Sequence, residues 1–159
     1  MKFKTEVEEL FKKSGWFEGR NVRDIFDKIP RFHEYPDFLK DFLYEYGDLN
    51  VETYKYDKND ITAYLDLTIL SGKRYNLNEF LDSPRKDFGN NLYTFPLGYY
   101  HLDVSLLQCD KEGKVYMVGD FPTLVSDDFK TGIEKILMED YSDTKEWHPD
   151  IKQWKKEEY

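Results

Sequence analysis

Residues 10–51 constrain the fold more than any other part of the chain. Three apolar stripes with helical spacing are crowded into them, and each ends on its own stop signal. Val7, Leu10 and Phe11 share one helical face, and Thr5 with Glu8 has the form of a capping box ahead of them. Gly15 is placed to end that helix, because glycine enters the left-handed region at little cost. Trp16 and Phe17 follow at once and are expected to fold back onto it. Asn21 can cap a second helix, with Asp24 at its favoured negative end; Val22, Ile25, Phe26 and Ile29 form its apolar face and Pro30 stops it. Pro36 suits the first turn of a third helix, whose stripe of Phe38, Leu39, Phe42, Leu43 and Tyr46 runs to Gly47. Leu49 and Val51 then alternate as in a strand. Arg20 is expected to tie the first interhelical turn to a carboxylate or to carbonyls. The segment holds no catalytic constellation, which suggests a scaffold that displays a surface.

Beyond the helices the apolar period changes to two. Ile61, Ala63, Leu65, Leu67 and Ile69 alternate with Thr62, Tyr64, Asp66 and Thr68, the pattern of a half-buried antiparallel strand. Residues 57–60 supply a turn back to the strand that begins near Leu49. Asn76 and Glu79 can cap a short helix carrying Leu77, Phe80 and Leu81, and the segment to Asn91 reads as loop. Further strands are expected near 93–97, over 102–109 and over 115–118, with 110–113 as a tight connection and 121–125 as an edge. Asp127 is placed to open a closing helix with Phe129, Ile133, Ile136 and Leu137 inward. Helices, then mainly antiparallel strands, then a helix make an α+β fold. One domain over residues 1–159 is expected, with a core at about 5–139 and a C-terminal extension at 140–159. In the extension Trp147, Ile151 and Trp154 have helical spacing, and Pro149 is tolerable only in the first turn of a helix starting near His148. The two tryptophans are expected to pack back onto the domain; an arm reaching a second copy is the alternative, so both monomer and homodimer stay open.

Composition narrows the chemistry. The net charge is −9, from 23 basic and 32 acidic residues, the wrong sign for a nucleic-acid binder. The excess is concentrated: residues 110–143 hold nine acidic residues against four basic ones. An acidic face can steer a basic partner, and it also simply solvates. Thirteen tyrosines exceed what a core needs, and tyrosine is enriched in interface cores. The single cysteine, Cys109, excludes an intramolecular disulfide and suits the reducing cytoplasm. It ends an apolar stretch and reads as a buried small hydrophobe. The N-terminal ten residues have no long apolar run, so neither signal peptide nor anchor is expected, and no apolar run approaches a bilayer span.

Catalytic and metal patterns are weak. His33, His101 and His148 lack partners at ligand spacing, and no HExxH, CxxC, GxGxxG or Walker-type loop occurs, so neither metal nor cofactor is expected. His101 lies beside Tyr99, Tyr100 and Asp103 and could form a relay, or be a strand-end histidine satisfied by a neighbour. The pairs Asp57/Asp60 and Asp127/Asp128 fall at turns or helix starts, where aspartate has a structural reason to be.

Several of these residues carry a resemblance. Leu10-Phe11, Gly15-Trp16 and Gly19-Arg20, then Phe38-Leu39, Phe42-Leu43, Tyr46-Gly47 and Leu49, resemble the SUKH superfamily. More narrowly they resemble the third subgroup of its immunity proteins from bacterial polymorphic-toxin systems. Thr94 to Gly98, 102–109, 110–116 and the helix through Ile133 and Leu137 fit as well. The family usually shows a second glycine where Asp48 stands. The resemblance spans roughly 5–139 and implies helices packed on a mainly antiparallel sheet. It also implies a non-enzymatic immunity protein that binds and neutralises a cognate toxin protein. Many such toxins act on nucleic acid and are basic, which suits an acidic partner. Charge and aromatic clustering place the expected contact surface on the polar sheet face and the acidic second half, through Tyr54, Tyr56, Tyr64, Tyr99, Asp120, Asp127, Asp128 and Glu134. The alternatives are a regulatory adaptor of the same fold that binds an endogenous protein, and a small enzyme working through His101 and Asp103.

Overall fold

The protein's structure, a computed structural model, describes residues 1–54, 63–88, 91–101 and 104–156. Three α-helices come first: α1 (Thr5–Lys13), α2 (Arg23–Phe26) and α3 (Asp37–Tyr46), with a 3-10 turn at Phe32–Glu34. The expected capping box on α1 does not form. The helix starts one residue early for it, with Lys4 as N-cap and no side-chain cap, and the amides of Val7 and Glu8 go to the Lys4 carbonyl. The other end matches expectation. Gly15 sits at φ +117°, Trp16 N–H donates to the Phe11 carbonyl at 2.9 Å and Gly15 N–H to that of Lys12 at 3.1 Å, which together make a Schellman closure. Trp16 then stacks on Tyr46 at 5.4 Å between ring centroids, whereas Phe17 points away and is exposed.

Asn21 Oδ1 accepts from the Arg23 amide at 2.9 Å, so it serves the first turn of α2. Phe26 is buried, Val22 and Ile29 are half-buried, and Ile25 is exposed. The α3 stripe is buried at Leu39, Phe42, Leu43 and Tyr46. Arg20 Nη1 donates to the Glu45 carbonyl at 2.7 Å and ties the α1–α2 turn to the end of α3, as expected. Gly47 ends α3 for a reason of space. Its φ is an ordinary −67°, but a Cβ there would lie 2.4 Å from the Phe26 ring. The left-handed residue is the next one, Asp48, at φ 59°; its carboxylate accepts from Ser71 Oγ at 2.5 Å, which offsets part of the conformational cost an aspartate meets there.

Among the described residues eight strands follow: β1 (Asn50–Glu52), β2 (Tyr64–Asp66), β3 (Phe95–Tyr100), β4 (Ser105–Cys109), β5 (Val115–Val118), β6 (Pro122–Ser126), β7 (Lys145–His148) and β8 (Gln153–Lys156). They form one sheet in chain order, and every neighbouring pair is antiparallel. The β1–β2 pairing confirms the expected hairpin, although its turn at 57–60, with Ile61 and Thr62, lies outside the described residues. β2 is shorter than its apolar alternation suggests. Asp66 accepts from the Thr68 amide at 2.8 Å, an Asx turn that folds the chain out of the ladder while Ile69 and Leu70 remain buried. α4 (Asn78–Leu81) and a 3-10 turn (Lys86–Phe88) precede β3, so the expected loop buries Phe88. β3 runs later than its expected span. β6 is an interior strand, between β5 and β7, where an edge was expected.

The closing helix α5 (Phe129–Leu137) buries Phe129, Ile133, Ile136 and Leu137 as expected. Its cap is Asp128, not Asp127: the Asp128 carboxylate accepts from the Thr131 amide at 2.9 Å and the Thr131 hydroxyl at 2.8 Å. The tail is the largest correction. No helix forms near His148; residues 145–156 make the β7–β8 hairpin, with Trp147 opposite Trp154 and their rings 5.3 Å apart. Residues symmetric about a four-residue turn meet across it, which satisfies both tryptophans and places Pro149 where no ladder bond is required. They do pack back as expected.

Two apolar layers result. On one face of the sheet Val51, Leu65, Leu107, Cys109, Val115 and Met117 pack against α1, α2, α3 and α5. Full burial of a Phe or Leu contributes about 1.5–3 kcal/mol each, and the helices supply Phe11, Phe26, Leu39, Phe42, Leu43, Phe129 and Leu137 to this layer. On the other face Tyr116 and Leu124 are covered by Phe88 and Leu92 and flanked by Trp147 and Trp154.

Candidate functional site

On that second face, toward β2 and β3, the expected residues Tyr64 and Tyr99 come together. The register sets Asp66 opposite Tyr99, and alternation puts Tyr64, Asp66, Tyr99 and His101 on one face. His101 lies between the two tyrosines, its ring 4.3 Å from Tyr64 and 5.3 Å from Tyr99. Below them Asp66 is 5% exposed. Its carboxylate accepts from Thr68, from Arg74 Nη2 at 2.5 Å and faces His101 Nε2 at 3.4 Å. Burial pushes the Asp66 carboxyl up, but the hydrogen bonds from Thr68, Arg74 and His101 outweigh it and hold it below the usual carboxylate range. Asp66 was not among the expected site residues. Its place in an alternating strand gave it a solvent-facing reading, and only the later Arg74 and His101 reveal it as the base of the cluster. His101 therefore has its neighbour in Asp66; Asp103 lies outside the described residues.

The other expected residues fall elsewhere. Tyr54 is exposed just past the edge strand β1, beside a concavity of about 530 Å³ that also includes Leu10, Lys13 and Asn50. Tyr56 lies outside the described residues. Asp120 is exposed in the β5–β6 turn, on the rim of a concavity of about 630 Å³ lined by Ser105, Met117, Phe121, Thr123 and Tyr141. Asp127 and Asp128 border a smaller hollow of about 330 Å³ with Thr131, Lys135 and Asp143. Asp127 is exposed, while Asp128 serves as cap, and hydrogen bonds from the Thr131 amide and hydroxyl hold its carboxyl below the usual range. Glu134 accepts from the Lys4 amide at 2.7 Å, so it fastens α1 to α5. The seven described residues of the eight thus form no single patch. Tyr64 and Tyr99 cluster, Asp120 and Asp127 stand apart as exposed acids, and Asp128 and Glu134 have work inside the fold.

Phe121 is the residue that sequence reading passed over. It is 73% exposed in the step Gly119-Asp120-Phe121-Pro122, whose glycine and proline mark a turn and signal that the ring stands outside the ladder. For nucleophilic chemistry, Cys109 is fully buried. Burial first, and the Asp110 charge second, push its thiol far above the ordinary range, so it stays protonated. Among the described residues no group of three or more His, Cys, Asp or Glu is arranged to hold a metal ion, and no helix is long and apolar enough to cross a membrane. What these residues present is therefore scattered: half-buried tyrosine and histidine faces on β2 and β3, and separate exposed carboxylates at Asp120 and Asp127.

Comparison with curated proteins gives no match, and comparison with solved structures gives none. Comparison with family models does: residues 3–139 match the SUKH-3 immunity protein. That span takes in α1 to α5 and β1 to β6, and by it the chain belongs to the SUKH-3 immunity protein family.

Proposed function

We propose that this protein binds a cognate toxin domain of a bacterial polymorphic-toxin system and neutralises it as a stoichiometric partner, without catalysing a reaction of its own. The family match over residues 3–139 carries this reading. Charge supports the class of toxin. A chain at −9 complements a basic, nucleic-acid-acting domain, and a partner that must be met quickly gains from electrostatic steering. The toxin acts in the cytoplasm, and there the immunity protein meets it. No cofactor, nucleic acid or membrane takes part. Of the expected contact residues, Tyr54, Asp120 and Asp127 are exposed and Tyr64 and Tyr99 present half-buried faces; they lie on different parts of the surface, so one interface need not use them all.

The test is co-expression with the toxin domain encoded beside this chain. The toxin alone should stop growth. The pair should restore growth and purify as a stoichiometric complex, with an association rate that falls as salt rises. Growth arrest that persists at equal expression of both proteins overturns the reading. A complex with an endogenous protein and none with the toxin turns it into the adaptor alternative.

A further inference from the structure

Because each strand pairs with its successor in the chain, the connections alternate between the two ends of the sheet. The β3–β4, β5–β6 and β7–β8 turns leave from one end, as does the β1–β2 connection, of which residues 55–62 lie outside the described residues; the β4–β5 turn and the start of α5 lie at the other. The register makes the three turns neighbours: Leu106 is opposite Val118 and Thr123 opposite Glu146, so Val104, Phe121 and the β7–β8 turn project from adjacent strands. Each turn carries an exposed apolar side chain: Val104 is 63%, Phe121 73% and Ile151 49% exposed. Val104 also holds φ 53°, a conformation that a β-branched residue avoids and glycine or asparagine enters readily. Among the described residues none buries that isopropyl group. Exposed Asp120 and Asp150 flank the three, with Lys152 beside them, and the 630 Å³ concavity opens at the same end with Phe121 in its lining.

We propose that this three-turn end of the sheet seats the toxin domain. Phe121 acts as the anchor entering an apolar pocket on a basic surface, and Asp120 and Asp150 meet the cations around that pocket. The proposal rests on the reading of the protein as a toxin-binding immunity protein. The partner's charge follows from the exposed Asp120 and Asp150 at this end and from the net charge of −9 on the whole chain. Aromatic anchors at the centre and charges at the rim are how such interfaces divide affinity from steering. The β7–β8 turn adds a contact from outside the matched span of 3–139, which gives this chain a means of discriminating its own partner.

The experiment measures binding of the adjacent-gene toxin domain, inactivated at its active site, to the full chain by calorimetry. Variants are Phe121→Asp, Ile151→Ser and Asp120→Lys, with Phe17→Ser, an exposed phenylalanine near the helices, as the control. Phe121→Asp should weaken binding on the order of 30-fold, as an interface anchor does. Asp120→Lys should slow association and flatten its salt dependence, and Phe17→Ser should change nothing. The variants should keep the wild-type circular dichroism and melting temperature. If Phe121→Asp loses its fold, hydrogen exchange on the wild-type complex decides, with protection expected at 119–121 and 149–152. Tight wild-type binding that Phe121→Asp leaves within two-fold, or a complex without protection at those turns, overturns the surface and leaves the immunity reading intact. Absence of wild-type binding and of neutralisation overturns both.

Discussion

The Lys4 amide donates to the Glu134 carboxylate at 2.7 Å, so the first turn of α1 is fastened by a side chain from the middle of α5. The bond joins the two ends of the helical layer. A charge-reversal test that includes Glu134 would therefore mix partner binding with fold stability.

Glu134→Ala should lower unfolding free energy by about 1 kcal/mol, the usual net value of a hydrogen bond in a partly solvated place. Urea denaturation gives the number. Asp127→Lys, which alters an exposed residue with no internal bond to break among those described, should leave the midpoint unchanged.

Asp128→Ala should cost about 1 kcal/mol through loss of the α5 cap. The same carboxylate makes stability depend on pH. Its folded pKa lies below the ordinary value because it accepts from Thr131. Its contribution is complete above the unfolded pKa of about 3.9 and disappears as pH falls through the lower folded value. Asp66 behaves with the same sign. Denaturation between pH 6 and pH 2 should show wild-type stability falling below about pH 4, with a shallower slope in Asp66→Asn and Asp128→Asn.

Gly47→Ala should destabilise by about 1–3 kcal/mol or more, because the added Cβ meets the Phe26 ring and the Leu43 carbonyl, both at 2.4 Å. Asp48→Gly should stay within about 1 kcal/mol of wild type. It relieves a left-handed aspartate, which is worth about 1–2 kcal/mol, and loses the Ser71 bond. Thermal melts of the two variants separate a glycine held for space from a position that glycine would suit for conformation.

Cys109 should resist iodoacetamide at pH 8 in the native protein and react once urea unfolds it. Burial keeps the thiol protonated and inaccessible. Rapid native labelling would place the β4–β5 region in an open state.

The helical region was legible because each stripe carries its own stop. Gly15 closes α1, and Pro36 and Gly47 bracket α3, so Leu39, Phe42 and Leu43 could be assigned without knowing what they pack on; α2 is the exception, ending at Phe26 ahead of Pro30 and leaving Ile25 exposed. Errors came where two local readings fit equally well. Asp127 and Asp128 are adjacent acids ahead of one helix, and only the reach to Thr131 selects the second. Trp147 and Trp154 are seven residues apart, a separation that suits two helical turns and equally a hairpin with a four-residue turn. What decides between them is the apolar surface of Tyr116 and Leu124 waiting across the sheet, a long-range fact. The site was less legible for the same reason. Tyr64 and Tyr99 lie 35 positions apart, and only strand register unites them around His101 and Asp66.

A sheet whose strands pair in chain order can grow at its last strand without any earlier strand changing partner. An appended hairpin such as β7–β8 always sends its turn to the end already occupied by the previous hairpins. Even-numbered lengthening is thus a built-in direction of change. It can enlarge one rim of the molecule while the helical layer and the first six strands keep their packing.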